Sequence, residues 1–244
     1  MKKIIGTWLA ICAIIPLVSY KPASVAPSFT GAWGYGTLTD RTVMIVADNV
    51  FAVARYDAPG KKFMGSWGGT WSLAGDTLTR NIEWDSRDSA RVGTQLIQKM
   101  NITDDILFVG DNGIKWNRLD NGGPGELAGA WIITGNYNAA GQVSKRSAPF
   151  YPRRTMKVLS GKYFHWIAYN VQKKQFFNAG GGTYTTAGGK YTENIAFFTK
   201  TEESIGKSLV FDYSFVNGDW RHKGEKSTGG ALDECWSRRA TLEK

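Results

Sequence analysis

The chain has 244 residues, of which 42% are hydrophobic, 13% are aromatic and 21% are charged. This composition excludes a disordered or collagen-like chain and is typical of a folded globular protein. The formal net charge of +9 is unevenly spread, because residues 27–127 contain ten basic and twelve acidic residues, whereas residues 128–244 contain seventeen and nine. The positive charge therefore belongs mainly to the second half of the chain.

Residues 1–26 have the pattern of an export signal. Two lysines precede an almost unbroken apolar run over residues 4–18, and small residues follow it. The run is too short to span about 30 Å of hydrocarbon comfortably. We therefore expect an exported protein, periplasmic, on the outer surface or secreted, with no stable membrane insertion; a retained N-terminal anchor is the alternative. Removing the signal would remove Cys12 and leave Cys235 alone, which excludes an intrachain disulfide.

An internal duplication is the strongest pattern in the sequence. Residues 41–96 align without a gap on residues 154–209, at a constant offset of 113, with sixteen identities in fifty-six positions. The centre of the match is a Gly-Gly-Thr tripeptide that begins at positions 68 and 181. Each copy opens with Gly-Ala-Trp and closes with Trp-x-Arg, and a glycine-rich linker separates the copies. The expected domains are 27–120, a linker at 121–127, and 128–244.

Within each copy the sequence predicts short strands joined by tight turns. Segments rich in β-branched and aromatic residues alternate with turn residues, and nothing has the pattern of a long helix. Seven or eight such strands per copy fit an up-and-down barrel or a sandwich. The Gly-Gly in mid-strand favours a barrel, because glycine permits the sharp coiling that closes a sheet. We therefore expect an all-β protein of two tandem antiparallel barrels. The strands predicted for the first copy are 42–47, 50–56, 64–73 and 77–84.

The opening Gly-x-Trp, the short strands and the closing Trp-x-Arg resemble the lipocalin-like members of the calycin superfamily. The run 154–169, the later Gly-Gly-Gly-Thr-Tyr at 180–184 and Tyr-Thr-Glu at 191–193 are similar to small exported lipocalin-like proteins of Bacteroidota. The resemblance covers nearly all of the second copy and, in degraded form, the first. It implies a cup that holds a small molecule, and an arginine packed over the opening tryptophan of each barrel. These pairs would be Trp33 with Arg118 and Trp131 with Arg238.

Differences between the copies point to the second copy as the functional one. Both histidines lie there, and Ala52 and Arg80 of the first copy stand where His165 and Glu193 stand in the second. The second copy also gains aromatic residues at aligned positions. The sequence therefore predicts an aromatic cup in the second barrel. Its predicted lining residues are Arg154, His165, Trp166, Tyr169, Tyr184, Tyr191, Glu193, Trp220 and His222.

Strand alternation groups these residues without showing which face of each strand points inward. If His165, Glu193 and His222 all point inward, they form a polar cluster. Such a cluster has a metal-binding interpretation, although the spacings are not diagnostic and neither a metal nor a cofactor is expected. It also has an enzymatic one, an isomerase or lyase acting on an acidic saccharide with His165 or Tyr169 as base and Glu193 or Tyr184 as partner. In that enzyme Arg154 would neutralise the substrate carboxylate.

Binding without turnover is the interpretation that the sequence favours, and a structural or assembly role is a further alternative. The basic second half favours a small or anionic ligand, sugar-like or lipid-like. A solvated basic face would explain the charge equally well. Nucleic acid is not expected, because no binding motif is present. An alternative for Glu193 is an ion pair with Arg154, since a buried carboxylate requires a cation.

Overall fold

The computed structural model describes residues 28–103, 105–147 and 152–243. The predicted export signal and Cys12 lie outside the described residues. The chain forms two tandem eight-stranded antiparallel β-barrels, which confirms the predicted fold class. Apart from two 3-10 turns, the described part of the chain has one helix, the four-residue α1 (Arg239–Leu242), and no helix there is long and apolar enough to cross a membrane.

Eight strands form the first barrel, each paired with the next along the chain. The last strand pairs with the first and closes the barrel. The strands are β1 (Gly31–Gly36), β2 (Arg41–Ala47), β3 (Val50–Asp57), β4 (Lys62–Ala74), β5 (Thr77–Asp85), β6 (Gln95–Thr103), β7 (Ile106–Val109) and β8 (Lys115–Asp120).

The second barrel has the same order of strands and closes through β9 and β17. It differs from the first by one short strand, β10, which is added at the side of β9. The strands are β9 (Gly129–Tyr137), β10 (Val143–Lys145), β11 (Arg153–Leu159), β12 (Tyr163–Asn170), β13 (Gln175–Ala187), β14 (Lys190–Phe198), β15 (Ser208–Val216), β16 (Asp219–Glu225) and β17 (Ala231–Arg238).

The duplication extends to the irregularities of the sheets. The pairing of β4 with β5 shifts register between Gly68 and Gly69, and that of β13 with β14 shifts between Gly181 and Gly182. A Cβ atom at Gly68 would lie 2.4 Å from the Trp84 ring and from a backbone oxygen of β3. Only glycine fits this close approach, and the bulge bends the strand there. The mid-strand glycines thus support the curvature that was predicted from them.

One end of each barrel is sealed by the expected tryptophan and arginine. The Arg118 guanidinium lies 4.0 Å from the centre of the Trp33 ring, and Arg238 lies 4.0 Å from Trp131. Both tryptophans are fully buried, and each indole N–H donates to a backbone carbonyl four residues earlier. These contacts confirm the two predicted pairs and fix where each barrel begins.

The two barrels share a third hydrophobic core, which lies between them. In addition to an apolar interior, each barrel buries the outward faces of several strands against the other barrel. The stacked rings of Phe63 and Phe176, which are aligned residues of the two copies, meet across this boundary at 6.0 Å between centroids. The core contains β2, β3 and β5 residues Val43, Ile45, Ala52, Ala54, Tyr56 and Trp84, and β9, β11, β12 and β14 residues Ile132, Met156, Val158, Ile167, Tyr169 and Phe197.

Contacts between the barrels are repeated in pairs. Trp84 of the first barrel packs on Tyr169 of the second at 5.0 Å, and Tyr56 of the first packs on Phe197 of the second at 5.0 Å. The offset of 113 converts Tyr56 into Tyr169 and Trp84 into Phe197, so each contact is the image of the other. The two barrels therefore face each other through equivalent surfaces.

Candidate functional site

The second barrel contains a cavity of about 180 Å³. Exposed residues of two loops, Lys200 and Lys226, lie at its mouth, together with Ser227 and Thr228. The walls are largely aromatic and aliphatic, as in most small-molecule sites. The residues that form the walls include Phe164, Trp166, Ile195, Phe198, Leu209, Phe211 and Trp236.

A substitution between the copies explains why this cavity lies in the second barrel. Gly180 lines the cavity, and the aligned residue of the first barrel is Trp67, which packs against the first barrel's interior core. The indole that fills space in one barrel is therefore absent from the same position in the other. Trp166, which replaces Val53, lies at the edge of the cavity, where Lys200 Nζ is 4.8 Å from its ring centre.

A buried ion pair lies in the wall of the cavity. Lys157 Nζ is 2.8 Å from Glu193 Oε1, and the hydroxyl of Tyr191 donates to the same oxygen at 2.8 Å. The ammonium group is also about 5 Å from the ring centres of Tyr191, Trp220 and Trp236. Burial and the neighbouring carboxylate raise the pKa of Tyr191 well above its usual value, so the phenol stays protonated. Lys157 and Glu193 therefore neutralise each other within the barrel, and Tyr191 hydrogen-bonds to the carboxylate.

His222 lines the cavity and has incomplete hydrogen bonding among the described residues. Its Nδ1 lies 3.3 Å from Glu234 Oε2, which also accepts a hydrogen bond of 3.0 Å from the indole of Trp236. Burial and the charge of Lys157 lower the pKa of His222, although Glu234 opposes this shift. The imidazole is therefore neutral near pH 7. Burial alone would raise the pKa of Glu234, but its hydrogen bond with His222 and the nearby charges lower it, so it is a carboxylate.

This pairing fixes the tautomer of His222. A carboxylate can only accept, so Nδ1 of the neutral ring carries the proton and Nε2 carries a lone pair. Nε2 is buried and has no hydrogen-bond partner among the described residues. Because buried polar atoms normally have partners, Nε2 is an unsatisfied hydrogen-bond acceptor, within the described part of the chain, on a residue that lines the cavity.

Most of the predicted lining residues lie inside the second barrel. Glu193, His222 and Trp166 border the cavity, whereas Tyr191 and Trp220 pack beside Lys157 in the interior core. Tyr184 is also in that core, and its hydroxyl donates to the carbonyl of Ser160 at 2.6 Å. The indole nitrogen of Trp220 is a buried donor without a partner in the described part of the chain.

His165 and Tyr169 lie elsewhere than the sequence analysis expected. On β12, Phe164 and Trp166 face the interior core, so the alternate residues face outward onto the first barrel. His165 Nε2 lies 3.2 Å from the hydroxyl of Ser66 in the first barrel. Burial lowers the pKa of His165 to about 3, which makes it a neutral residue of the shared core. This corrects the predicted cup, which Tyr169 and His165 do not line.

Arg154 also points away from the cup. It lies at the boundary of the barrels, where Glu83 Oε2 accepts from Arg154 at 3.0 Å, from Arg239 at 3.0 Å and from the Tyr169 hydroxyl at 2.6 Å. The pairing of Arg154 with Glu193 is therefore corrected, since Lys157 pairs with Glu193. Burial opposes ionisation of Glu83, but the two arginines outweigh it and lower its pKa.

The structure separates the three residues of the proposed polar cluster. His165 is on the outer side of the barrel wall, whereas Glu193 and His222 border the cavity. Within residues 28–103, 105–147 and 152–243, no group of three or more His, Cys, Asp or Glu side chains is placed to hold a metal ion. The metal-binding interpretation that joined these three residues therefore lacks its geometry.

Sequence reasoning missed Lys157 and Glu234 as site residues. Lys157 was counted only among the basic residues of the second copy. Glu234 lies two positions before Trp236 on β17, and both residues face the interior. The closing Trp-x-Arg pattern, together with strand alternation, would have placed this carboxylate beside the cavity.

Comparison with protein-family models and with curated protein sequences finds no match for this chain. The resemblance to lipocalin-like proteins therefore rests on the motifs and on the barrel architecture alone.

Proposed function

We propose that the protein binds a small molecule in the cavity of the second barrel, outside the cytoplasm. The observation that carries the proposal is the buried, unpartnered Nε2 of His222 in the wall of a cavity of about 180 Å³. An apolar cavity of about 150 Å³ accepts a benzene-sized molecule. The ligand is therefore a single ring, sugar-like or phenolic, and smaller than a lipid with two acyl chains.

The distribution of charge orients this ligand. Deep in the site, Lys157 is paired with Glu193, whereas Glu234 is bonded to His222 and forms no ion pair with a lysine or arginine among the described residues. A hydroxyl or amine donor is favoured there, and it hydrogen-bonds to Nε2 of His222. At the mouth, Lys200 and Lys226 attract an acidic group. The ligand is thus a hydroxylated ring that carries an acid at its opposite end, such as a uronic acid or a hydroxyaromatic acid.

A titration of intrinsic tryptophan fluorescence tests this proposal with matched ligands. 4-Hydroxybenzoate and benzoate differ by the hydroxyl alone, 4-hydroxybenzoate and phenol differ by the acid alone, and glucuronate represents the sugar acids. We expect a hydroxylated acid to bind and the ligand without the hydroxyl to bind about tenfold more weakly, the effect of one hydrogen bond of about 1.4 kcal/mol. If none of these ligands binds, or if the hydroxyl has no effect, the proposal is wrong.

Three variants locate the binding. His222→Phe keeps a ring in place but removes Nε2, so it should make benzoate and 4-hydroxybenzoate bind equally. Lys226→Gln should weaken the acids and leave phenol unchanged. Lys173→Gln removes an exposed lysine from the turn between β12 and β13, far from the lining residues, and should change neither. A hydroxyl effect that persists in His222→Phe would place the ligand elsewhere.

An acid–base enzyme is a second candidate, and the pair of Glu234 and His222 favours it. A carboxylate that orients a neutral imidazole, with the second nitrogen left unprotonated on a residue that lines a cavity, is the arrangement of a general base. The base that this geometry supports is His222 in place of His165 or Tyr169. Proton NMR of glucuronate in D₂O distinguishes the candidates. An enzyme exchanges the proton next to the carboxylate with solvent deuterium, or removes it with loss of the C4 hydroxyl as water, and His222→Gln abolishes this, whereas a binding protein leaves the sugar unchanged.

A further inference from the structure

We propose that the first barrel is also a binding site, for a small oxyanion held by the guanidinium of Arg80. Arg80 lies on β5, and its side chain is inside the barrel, with 6% of the residue exposed. This site is separate from the cavity of the second barrel and does not depend on the function proposed for it.

Arg80 is a buried cation that has no carboxylate partner among the described residues. It takes part in none of the ion pairs formed by the described residues, although every other buried arginine or lysine inside or between the barrels has a carboxylate partner. Its Nη2 donates to the side-chain oxygen of Gln98, and its Nε is buried without a partner. A buried charge that lacks a partner is costly, and a buried donor that lacks an acceptor adds to the cost.

Comparison of the aligned positions shows how the imbalance arises. In the second barrel the two inward positions carry Lys157 and Glu193, which neutralise each other. In the first barrel the same positions carry Met44 and Arg80. The substitutions therefore remove the anion from the barrel and leave a cation at the place where the anion stood.

The surroundings of Arg80 suit an oxyanion. The guanidinium lies 5.0 Å from the ring centre of Trp67 and 5.6 Å from that of Phe51, so aromatic rings cover its flat faces, and its Nε–H is a buried donor without a partner among the described residues. Arg91 lies 4.9 Å from the same Trp67 ring, but its charge is already balanced by Asp85 at 2.6 Å. Burial and the charge of Arg91 lower the pKa of Arg80 to about 10, so it stays protonated at pH 7.

The chemistry of the guanidinium identifies the class of ligand. Its planar N–H donors match the oxygens of a carboxylate, phosphate or sulfate, whereas chloride offers no such geometry. The shared chemistry is that of an oxyanion, and the source is either a free inorganic anion or the acidic group of a small organic molecule that enters the first barrel.

Thermal unfolding of the full chain in buffers of equal ionic strength tests the site. Sodium acetate, phosphate and sulfate are compared with sodium chloride. We expect at least one oxyanion to raise the midpoint of unfolding of the wild-type protein in a concentration-dependent way, because a ligand that binds only the folded state stabilises it. Acetate alone would indicate a carboxylate ligand, and phosphate or sulfate an inorganic anion. Equal midpoints in all four salts would overturn the proposal.

Two variants separate a binding role from a structural one. Arg80→Met places an apolar side chain next to Met44, and we expect it to unfold at the same or a higher temperature than the wild type in chloride and to lose the oxyanion response. Arg87→Gln removes an exposed arginine from the neighbouring loop and should keep the response. An oxyanion response that survives in Arg80→Met would overturn the proposal.

A measurement on the wild-type protein covers the case in which Arg80→Met fails to fold. The side-chain Nε–H resonance of Arg80 is followed by ¹H–¹⁵N NMR during titration with the responding oxyanion. We expect a saturable shift of this resonance, with half-saturation at the concentration that gives half of the thermal effect. A resonance that does not move while the midpoint rises would assign the effect to another site.

Discussion

Lys157 and Glu193 form a salt bridge of 2.8 Å inside the second barrel, at positions where the first barrel has Met44 and Arg80. The same barrel architecture thus accommodates two different sets of charges at these two interior positions. In the second barrel the ion pair is enclosed by aromatic rings, so neither charge has bulk water as a substitute partner.

Removing one partner of this salt bridge should be much more costly than removing both. Lys157→Met leaves Glu193 as a buried carboxylate without a cation, and we expect it to lower the free energy of unfolding by about 3–5 kcal/mol. The double variant Lys157→Met with Glu193→Gln keeps an acceptor for Tyr191 and should recover most of this loss. Urea unfolding followed by fluorescence measures both. If the double variant loses as much free energy of unfolding as Lys157→Met, or more, the pair is not coupled in this way.

The buried histidines predict how stability depends on pH. His165 has a pKa of about 3 when folded, and the pKa of His222 is also lowered, whereas both take up protons near pH 6.5 when unfolded. Their contribution is therefore complete above about pH 6.5 and is lost as the pH falls below it. The expected slope below about pH 6.5 approaches about 1.4 kcal/mol per pH unit for His165, and His222 adds to it in the same direction. Urea unfolding between about pH 7 and pH 5 measures it, and His165→Gln should reduce the slope by the share of one histidine.

Glu83 should be essential for holding the barrels together. It accepts hydrogen bonds from Arg154, Arg239 and Tyr169, and Glu83→Gln removes one of the two carboxylates, Glu83 and Glu243, that are paired with these buried guanidinium groups. We expect a loss of about 3–5 kcal/mol in the free energy of unfolding. Glu225→Gln, which changes an exposed glutamate of β16, is the control and should have little effect. Equal stability of the two variants would mean that the Glu83 cluster contributes little.

The mid-strand glycines should tolerate no side chain. A Cβ atom at Gly181 would lie 2.7 Å from the Phe164 carbonyl and from the Phe197 ring, which belongs to the shared core. Gly181→Ala should therefore lower the free energy of unfolding by about 1–3 kcal/mol, and the midpoint of urea unfolding falls with it. Gly188→Asn is the matched control, because its turn position has open space and a left-handed backbone that asparagine accepts. Similar midpoints for both variants would contradict the predicted crowding.

The fold could be predicted from the sequence because the duplication, the turn residues and the Trp-x-Arg motifs all indicate the same architecture. The face of β12 that points into the barrel could not be predicted. In a barrel with one solvated face, alternation of apolar and polar residues identifies the inner face. Here Phe164 and Trp166 face the interior, and Ile167 and Tyr169 face the other barrel, so both faces are apolar. The second core removes the contrast on which the prediction depends, and His165 was therefore assigned to the wrong environment.

The contact between the barrels also misleads a comparison of the two copies at His165. Its absence from the first copy suggested chemistry, because Ala52 stands at the aligned position. The partner of His165 is Ser66, which the second copy replaces with Ala179. The histidine and the serine are thus two halves of one contact, and no comparison of the copies position by position could join them.

The stacked pair of Phe63 and Phe176 has a consequence for the origin of the chain. Contact between equivalent side chains is a property of two-fold symmetric association. A precursor with one barrel and this face would have formed a homodimer, and every substitution in the interface would have appeared twice. In a single chain that restriction is absent, because Glu83 of the first barrel meets Arg239 whereas the residue aligned with Glu83 in the second barrel is Ala196. Covalent linkage thus permits unlike halves in an otherwise symmetric pair of barrels.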